Sequence, residues 1–198
     1  MLTLPNILTL LRILLIPIFV LIYYLPIPWG HTAAATIFGV ACFTDWLDGY
    51  LARHLKQSTR FGAFLDPVAD KLMVSIALVM IVAEMQFKFE SGKSVYWQLP
   101  TFFITIPAAI IVSREVIVSA LREWMAEIGK RTSVVVSSLG KVKTTVQMLA
   151  LIVLIYCVPS TSATVIVIGY ILLYLAAILT IWSMVIYLKT AWPEFQIN

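Results

Sequence analysis

T-D-W-L-D-G-Y-L-A-R, from Thr44 to Arg53, and F-G-A-F-L-D-P-V-A-D-K, from Phe61 to Lys71, are the two stretches that decide how this chain folds. Each lies at or inside a long apolar run. Together they carry four aspartates, which are Asp45, Asp48, Asp66 and Asp70. An aspartate at the centre of a bilayer-spanning helix costs about 2.5–3.5 kcal/mol to insert, so it marks a functional site by default. Four of them at helical spacing indicate that a cation binds here.

The spacing predicts how the four carboxylates are arranged. Positions three or four residues apart share one face of a helix, so Asp45 and Asp48 point the same way, as do Asp66 and Asp70. Two such helices packed together form a cage of carboxylate oxygens, the ligands that Mg²⁺ and Mn²⁺ prefer. The alternative is that the carboxylates are solvated helix ends. Pro67 disfavours regular helix at the residue before it, which predicts a distorted helix at Asp66.

The composition is that of an integral membrane protein. Of the 198 residues, 61% are hydrophobic and 12% are charged, whereas soluble domains average about 45–50% and about 25%. The length suits one helical bundle, so residues 1–198 are expected to form a single transmembrane domain. No nucleic-acid partner is expected.

Six apolar runs predict six spanning helices. Each is long enough to cross about 30 Å of hydrocarbon, and none has the period-two alternation of a membrane strand. The runs cover residues 7–25, 32–55, 61–87, 97–121, 139–158 and 163–188. The predicted fold class is therefore an all-α membrane protein, a six-helix transmembrane bundle.

The distribution of cations predicts the orientation. With six spans, both termini and the loops after helices 2 and 4 share one side. That side, with the adjacent helix ends, holds twelve cations: Arg12, Arg53, Lys56, Arg60, Lys71, Arg114, Arg122, Lys130, Arg131, Lys141, Lys143 and Lys189. The other side holds only Lys88 and Lys93. By the positive-inside rule, the termini and the aspartates face the cytoplasm.

Written as a pattern, the two stretches read D-x-x-D-G-x-x-A-R, eight residues, then G-x-x-x-D-x-x-x-D. This resembles the signature of the CDP-alcohol phosphatidyltransferases. The matching residues are Asp45, Asp48, Gly49, Ala52, Arg53, Gly62, Asp66 and Asp70. The opening P-N-I-L-T-L-L-R is similar to the start of family members. The segments S-R-E-V-I-V-S-A-L-R-E-W-M-A and L-G-K-V-K-T resemble a bacterial branch that uses glycerol 3-phosphate as acceptor.

The resemblance implies an enzyme of phospholipid biosynthesis in the bacterial inner membrane. Such an enzyme takes CDP-diacylglycerol and sn-glycerol 3-phosphate, releases CMP and leaves phosphatidylglycerol phosphate in the bilayer. It implies Mg²⁺ or Mn²⁺, with two ions expected, and a homodimer. It further implies that Asp45, Asp48 and Asp66 hold metal. It implies as well that Asp70 is the general base and contacts the second ion.

The resemblance also implies which residues bind CDP-diacylglycerol. Asn6, Thr9 and Arg12 recur every three residues on one helix face and are expected to contact the cytidine diphosphate. The alternative is a helix cap followed by an arginine that reaches the interface. Gly49 and Gly62 belong to the same predicted site. So does Arg53, which binds phosphate or serves as an interfacial anchor.

The acceptor phosphate is expected at a second group of cations. Arg114 lies inside an apolar run, so it either reaches the glycerol phosphate or forms an interior ion pair with Glu115. Lys141 and Lys143 begin the fifth helix. They either clamp the same phosphate or serve as positive-inside anchors.

Two other functions remain open at this point. A related enzyme with another acceptor alcohol would make phosphatidylserine or cardiolipin. A cation or proton transporter would also carry intramembrane carboxylates, but it would place them near mid-membrane and often show inverted repeats. No repeat between the two halves of this sequence is visible.

Overall fold

The computed structural model describes residues 4–55, 60–84, 88–91, 95–98, 100–130, 138–158 and 160–195. Within these residues the chain forms six α-helices and one β-hairpin. The helices are α1 Leu4–Tyr24, α2 Gly30–Leu55, α3 Arg60–Glu84, α4 Phe102–Glu127, α5 Ser138–Tyr156 and α6 Ala163–Phe195. The predicted helical fold class and the count of six are confirmed.

The helix ends differ from the ends of the apolar runs. Helix α4 continues to Glu127 and α6 to Phe195, because a helix does not stop where its sequence becomes polar. Pro67 lies inside α3, which runs unbroken from Arg60 to Glu84. The helix continues through Asp66, and a local distortion at that residue stays a prediction.

A hairpin between α3 and α4 was not predicted. Strand β1 is Lys88–Ser91 and β2 is Val95–Gln98, and the two pair antiparallel with Phe89 opposite Trp97. Trp97 thus lies in a strand, and the fourth helix begins five residues later than the apolar run suggested. Hydropathy alone could not separate strand β2 from the start of helix α4, because aromatic and β-branched residues favour strands and are also counted as part of an apolar run.

Three of the described helices are long and apolar enough to cross a membrane. The spans are Asn6–Tyr24, Phe102–Glu127 and Ala163–Phe195. Helices α2 and α3 carry the aspartates, which lower their mean hydropathy, and the apolar part of α5, Val142–Tyr156, is shorter.

The chain divides into two compact units, of which the first comprises Met1–Ala83 and Leu151–Ile166. Here α1 packs on α2, with the ring centroids of Phe19 and Phe38 5.8 Å apart. The imidazole of His31 lies 4.6 Å from the Tyr23 ring, and its Nδ1 is 3.1 Å from the carbonyl oxygen of Ile155. The end of α1, the start of α2 and the end of α5 therefore meet in this unit.

The second unit comprises Glu84–Ala150 and Val167–Asn198. Its core joins α4 to α6 through buried residues, which are Val118, Leu121, Met125, Tyr187 and Ala191. The two helices run in the same direction, because successive contacts join Arg114 to Ser183 and Arg122 to Tyr187. The stacked rings of Trp124 and Phe195, with centroids 4.5 Å apart, continue this pairing to the helix ends.

Candidate active site

One face of α1 is polar and buried. Asn6, Thr9 and Arg12 are 2%, 0% and 1% exposed. They lie three residues apart, so they follow one side of the helix. Arg12 is thus a buried residue of the protein interior. The alternative in which it extends to the membrane interface is excluded.

This face of α1 contacts aspartates from both neighbouring helices. The Thr9 hydroxyl donates a hydrogen bond of 2.6 Å to Oδ1 of Asp66. One turn later, Nη1 of Arg12 donates to Oδ1 of Asp45 at 2.5 Å and to Oδ1 of Asp70 at 2.8 Å. The carboxylates of Asp45 and Asp70, from α2 and α3, therefore meet at a single nitrogen atom.

The arginine and its two carboxylates differ in exposure. The side chain of Arg12 is 1% exposed, whereas those of Asp45 and Asp70 are 36% and 42% exposed. The cation is therefore enclosed, while the carboxylates extend to the surface of the unit. A ligand can reach the carboxylates from that surface without displacing α1.

The donor chemistry of this group suits a divalent cation, because it consists of carboxylate oxygens. The convergence of Asp45 and Asp70 on one positively charged nitrogen shows that two of the acids already share a cation position. Among the side chains that the structure describes, no three acidic, histidine or cysteine residues come together as a metal site. In this structure the shared position is taken by the guanidinium of Arg12.

For several predicted site residues, the structure gives the helix on which they lie but not the contacts of their side chains. Asp48, Gly49 and Arg53 lie in α2, but their side chains and surroundings are outside the described residues. Gly62 lies near the start of α3 and is buried. Of the four aspartates, the structure thus places Asp45, Asp66 and Asp70 against α1.

A second polar cluster lies in the second unit. Arg114 on α4 donates from Nη1 to Oε1 of Glu115 at 3.0 Å and from Nη2 to the Ser183 hydroxyl at 3.0 Å. Lys143 on α5 donates to the same oxygen of Glu115 at 2.6 Å. Arg114 is 8% exposed and Lys143 is 3% exposed. The cluster therefore pairs two buried cations with one carboxylate.

Tyr187 on α6 links a third cation, Arg122, to this cluster. The guanidinium carbons of Arg114 and Arg122 lie 5.6 and 5.2 Å from the centroid of its ring, within the range of cation–π attraction. Arg122 also donates to the Tyr187 hydroxyl at 2.8 Å. Nearer the helix ends, Lys130 pairs with Glu194 at 2.7 Å.

These contacts decide some of the alternatives left open by the sequence. The ion pair between Arg114 and Glu115 exists, and Lys143 is buried in it rather than anchored at an interface. Lys141 lies in α5 with its side chain outside the described residues. The contribution of Arg122 was missed, because its pattern with Glu123 and Glu127 is typical of a solvated helix end.

Comparison with known proteins gives the same class of protein as the motif. The family model for CDP-alcohol phosphatidyltransferase matches residues 2–182. The chain therefore belongs to the CDP-alcohol phosphatidyltransferase family, which confirms the resemblance of its two aspartate stretches. Membership is shown for nearly the whole chain, both units included.

The matches to curated relatives cover nearly the full length of this chain and of each relative. A protein of Escherichia coli (strain K12) is 51% identical over 187 residues, which are 94% of this chain and 93% of that protein. One from Pseudomonas fluorescens is 50% identical over 193 residues, 97% of this chain and 91% of that protein. A third, from Shigella flexneri serotype 5b (strain 8401), is 51% identical over 187 residues. All three are named CDP-diacylglycerol–glycerol-3-phosphate 3-phosphatidyltransferase.

Proposed function

We propose that this protein transfers the phosphatidyl group of CDP-diacylglycerol to sn-glycerol 3-phosphate, giving phosphatidylglycerol phosphate and CMP. It is an enzyme of phospholipid biosynthesis. The name shared by its half-identical relatives supports the choice of acceptor. The observation that carries the proposal is the meeting of Asp45, Asp66 and Asp70, from two helices, on the polar face of α1.

The metal requirement follows from the chemistry of that group. Family membership supports dependence on a divalent cation, and we propose Mg²⁺ or Mn²⁺, with two ions. Asp45, Asp48 and Asp66 would hold them, with Asp70 beside the second. Bound there, the cations would polarise the pyrophosphate and stabilise the departing CMP.

Asp70 is proposed as the general base for the incoming hydroxyl. Its carboxylate accepts a charged hydrogen bond from Arg12. A charged donor of this kind fixes the orientation of the carboxylate. Thr9 and Arg12 then support the cytidine diphosphate end of the donor by positioning the aspartates, and Asn6 is proposed to contact the cytidine diphosphate. Gly49, Arg53 and Gly62 complete the proposed donor site.

The acceptor phosphate is proposed to bind at Arg114 and Lys143, with Lys141 at the start of the same helix. Among the described side chains, two buried cations share one carboxylate there, so positive charge is in excess. Burial of such an excess is costly unless an anion completes it. A phosphate monoester supplies that charge and accepts hydrogen bonds from both side chains.

The proposed setting is the inner membrane of a bacterium, with several passes, both termini and the reaction on the cytoplasmic side. A homodimer is proposed, and residues 1–198 are proposed to act as one catalytic domain. The orientation is tested by single cysteines and a membrane-impermeant thiol label applied to intact cells. A cysteine placed within residues 56–59, between α2 and α3, should stay unlabelled and one at Ser91 should react, and the reverse pattern would exclude the orientation.

The function is tested by release of CMP from CDP-diacylglycerol by the purified protein in the presence of Mg²⁺. Glycerol 3-phosphate should support release, whereas serine and phosphatidylglycerol, the acceptors for phosphatidylserine and cardiolipin, should not. Release with one of those alcohols in preference would assign the chain to another branch of the family. No release with any acceptor would refute the transferase.

A further inference from the structure

Two buried polar side chains of α5 and α6 each carry an oxygen atom that has no hydrogen-bond partner among the described residues. Oε1 of Gln147 on α5 and the hydroxyl of Thr180 on α6 are both unpaired, and the side chains are 3% and 0% exposed. Nε of Arg114 is also buried without a partner in that part of the chain. Buried polar groups are nearly always satisfied, so a group of three calls for an explanation.

Thr180 differs from other helical threonines of this protein. The hydroxyls of Thr36, Thr105, Thr144 and Thr190 each donate to the carbonyl four residues earlier in their own helix. A helical threonine ordinarily satisfies its hydroxyl in this way. The hydroxyl of Thr180 does not, although it is fully buried, so it is kept available for another group.

Helical spacing places both side chains beside the cation cluster. Gln147 follows Lys143 by four residues on α5, and Thr180 precedes Ser183 by three on α6, so each pair shares a helix face. Helices α5 and α6 run in opposite directions, because a short connection joins them. Gln147 and Thr180 are therefore displaced from Lys143 and Ser183 in the same direction, by about 4–6 Å.

The three unpaired groups match a small phosphate ester that also carries a hydroxyl. The N–H of Arg114 needs an acceptor such as a phosphate oxygen. Oε1 of Gln147 needs a hydrogen-bond donor such as an alcohol, and the hydroxyl of Thr180 can either donate or accept a hydrogen bond. The separation of about one helical turn corresponds to a short carbon chain between the phosphate and the hydroxyl.

We infer that Gln147 and Thr180 are specificity-determining residues that bind the C2 hydroxyl of glycerol 3-phosphate, the hydroxyl that does not react. This rests on the proposed function, because the phosphate of the same molecule binds at Arg114 and Lys143. A site that hydrogen-bonds a substrate hydroxyl rejects the analogue without it, because its own polar groups are then left unpaired. The two residues thus select a vicinal diol phosphate over a simple hydroxyalkyl phosphate.

The test compares two acceptors on the full-length protein in lipid nanodiscs. The second acceptor is 3-hydroxypropyl phosphate, which keeps the phosphate and a primary hydroxyl but lacks the C2 hydroxyl. Wild type should prefer glycerol 3-phosphate by at least about tenfold in kcat/KM. Thr180→Val and Gln147→Leu should each lower kcat/KM for glycerol 3-phosphate by about tenfold and change that for the analogue less than about twofold.

Two variants separate recognition from folding. Thr180→Ser keeps the hydroxyl and should retain the wild-type preference, and Thr190→Val removes an exposed hydroxyl of the same helix and should leave both acceptors unchanged. An equal loss on both acceptors in Thr180→Val and Gln147→Leu would refute the inference and make the two residues structural. Equal use of both acceptors by wild type would refute it as well. The proposed function fails separately, if wild type releases no CMP with glycerol 3-phosphate.

Discussion

The polar groups of the two units have opposite charge imbalances. In the first unit, the single guanidinium of Arg12 is shared by Asp45 and Asp70, and Asp66 is held by a neutral hydroxyl. In the second unit, a single carboxylate, Glu115, is shared by Arg114 and Lys143. Among the described side chains, carboxylates therefore outnumber cations in the first group, and cations outnumber carboxylates in the second.

The difference indicates what each group binds. Charges removed from water are stabilised only when they are paired and hydrogen-bonded. An excess of carboxylate predicts a cation, and a buried excess of ammonium and guanidinium predicts an anion. The enzyme proposed here needs both, a divalent metal for the pyrophosphate and a site for the acceptor phosphate.

The largest expected effect concerns Asp70, the proposed general base among the aspartates of the first unit. Asp70→Asn keeps the size and one oxygen of the side chain but cannot accept a proton. We expect turnover to fall by about 10²–10⁴, the usual range for general base catalysis. Metal-dependent binding of CDP-diacylglycerol, measured by titration, should persist.

Asp45→Ala and Asp66→Ala are the comparison variants. Both should lose metal-dependent donor binding, because the pyrophosphate then has no cation to contact. If Asp70→Asn abolishes that binding as completely as Asp66→Ala does, Asp70 is chiefly a metal ligand and the base must be sought elsewhere.

The next effect concerns the Arg114 cluster of the second unit. Arg114→Ala should raise the concentration of glycerol 3-phosphate needed for half-maximal rate by roughly ten- to a hundredfold, because a charged hydrogen bond is worth about 1.5–3 kcal/mol. The requirement for CDP-diacylglycerol should change little. Lys189→Ala is the control, because Lys189 is an exposed cation of α6, and it should leave both requirements unchanged. Equal losses for both substrates would mean that Arg114 acts through the fold.

A smaller effect tests whether Arg12 occupies a cation position. Arg12→Ala should lower the free energy of unfolding by about 1–2 kcal/mol without Mg²⁺, because two charged hydrogen bonds are lost and both acceptors are partly exposed. Added Mg²⁺ should restore part of the loss, since a divalent cation can then serve Asp45 and Asp70. Thermal unfolding with Mg²⁺ and with a chelator measures this. If Mg²⁺ does not reduce the loss of unfolding free energy in Arg12→Ala, Arg12 does not occupy a cation position shared by Asp45 and Asp70.

The smallest effect is expected at the exposed pair of Lys130 and Glu194. Surface ion pairs contribute about 0–1 kcal/mol, because water and salt screen them. Lys130→Ala should therefore change the unfolding free energy by less than about 1 kcal/mol and leave the use of both substrates unchanged. A larger loss of stability, or a change in the glycerol 3-phosphate requirement, would mean that Lys130 belongs to the Arg114 cluster.

The sequence predicted what short-range patterns determine. Six apolar runs gave six helices, and the spacing of Asn6, Thr9 and Arg12 predicted one polar face on α1. It could not show that this face meets Asp66 and Asp70, because those contacts join residues 57 and 58 positions apart. Spacing within one helix says nothing about which neighbour it packs against.

The contacts of Arg114 show the same limit. Its pairing with the adjacent Glu115 was one of two alternatives in the sequence, but its partner Ser183 is 69 positions away. Gln147 was missed although a signal was present, since a lone amide inside an apolar run is costly to bury. Thr180 gave no such signal, because a helical threonine usually satisfies its own hydroxyl.

The length of α6 has a mechanical consequence. Its 33 residues extend about 50 Å at 1.5 Å per residue, whereas the hydrocarbon core of a bilayer is about 30 Å thick. The surplus at its end is joined to α4 by the stacked rings of Trp124 and Phe195 and by Lys130 and Glu194. We therefore expect a thicker or thinner bilayer to tilt α4 and α6 together, chiefly through their packed core, so that the depth of Arg114 and Tyr187 in the membrane changes in step.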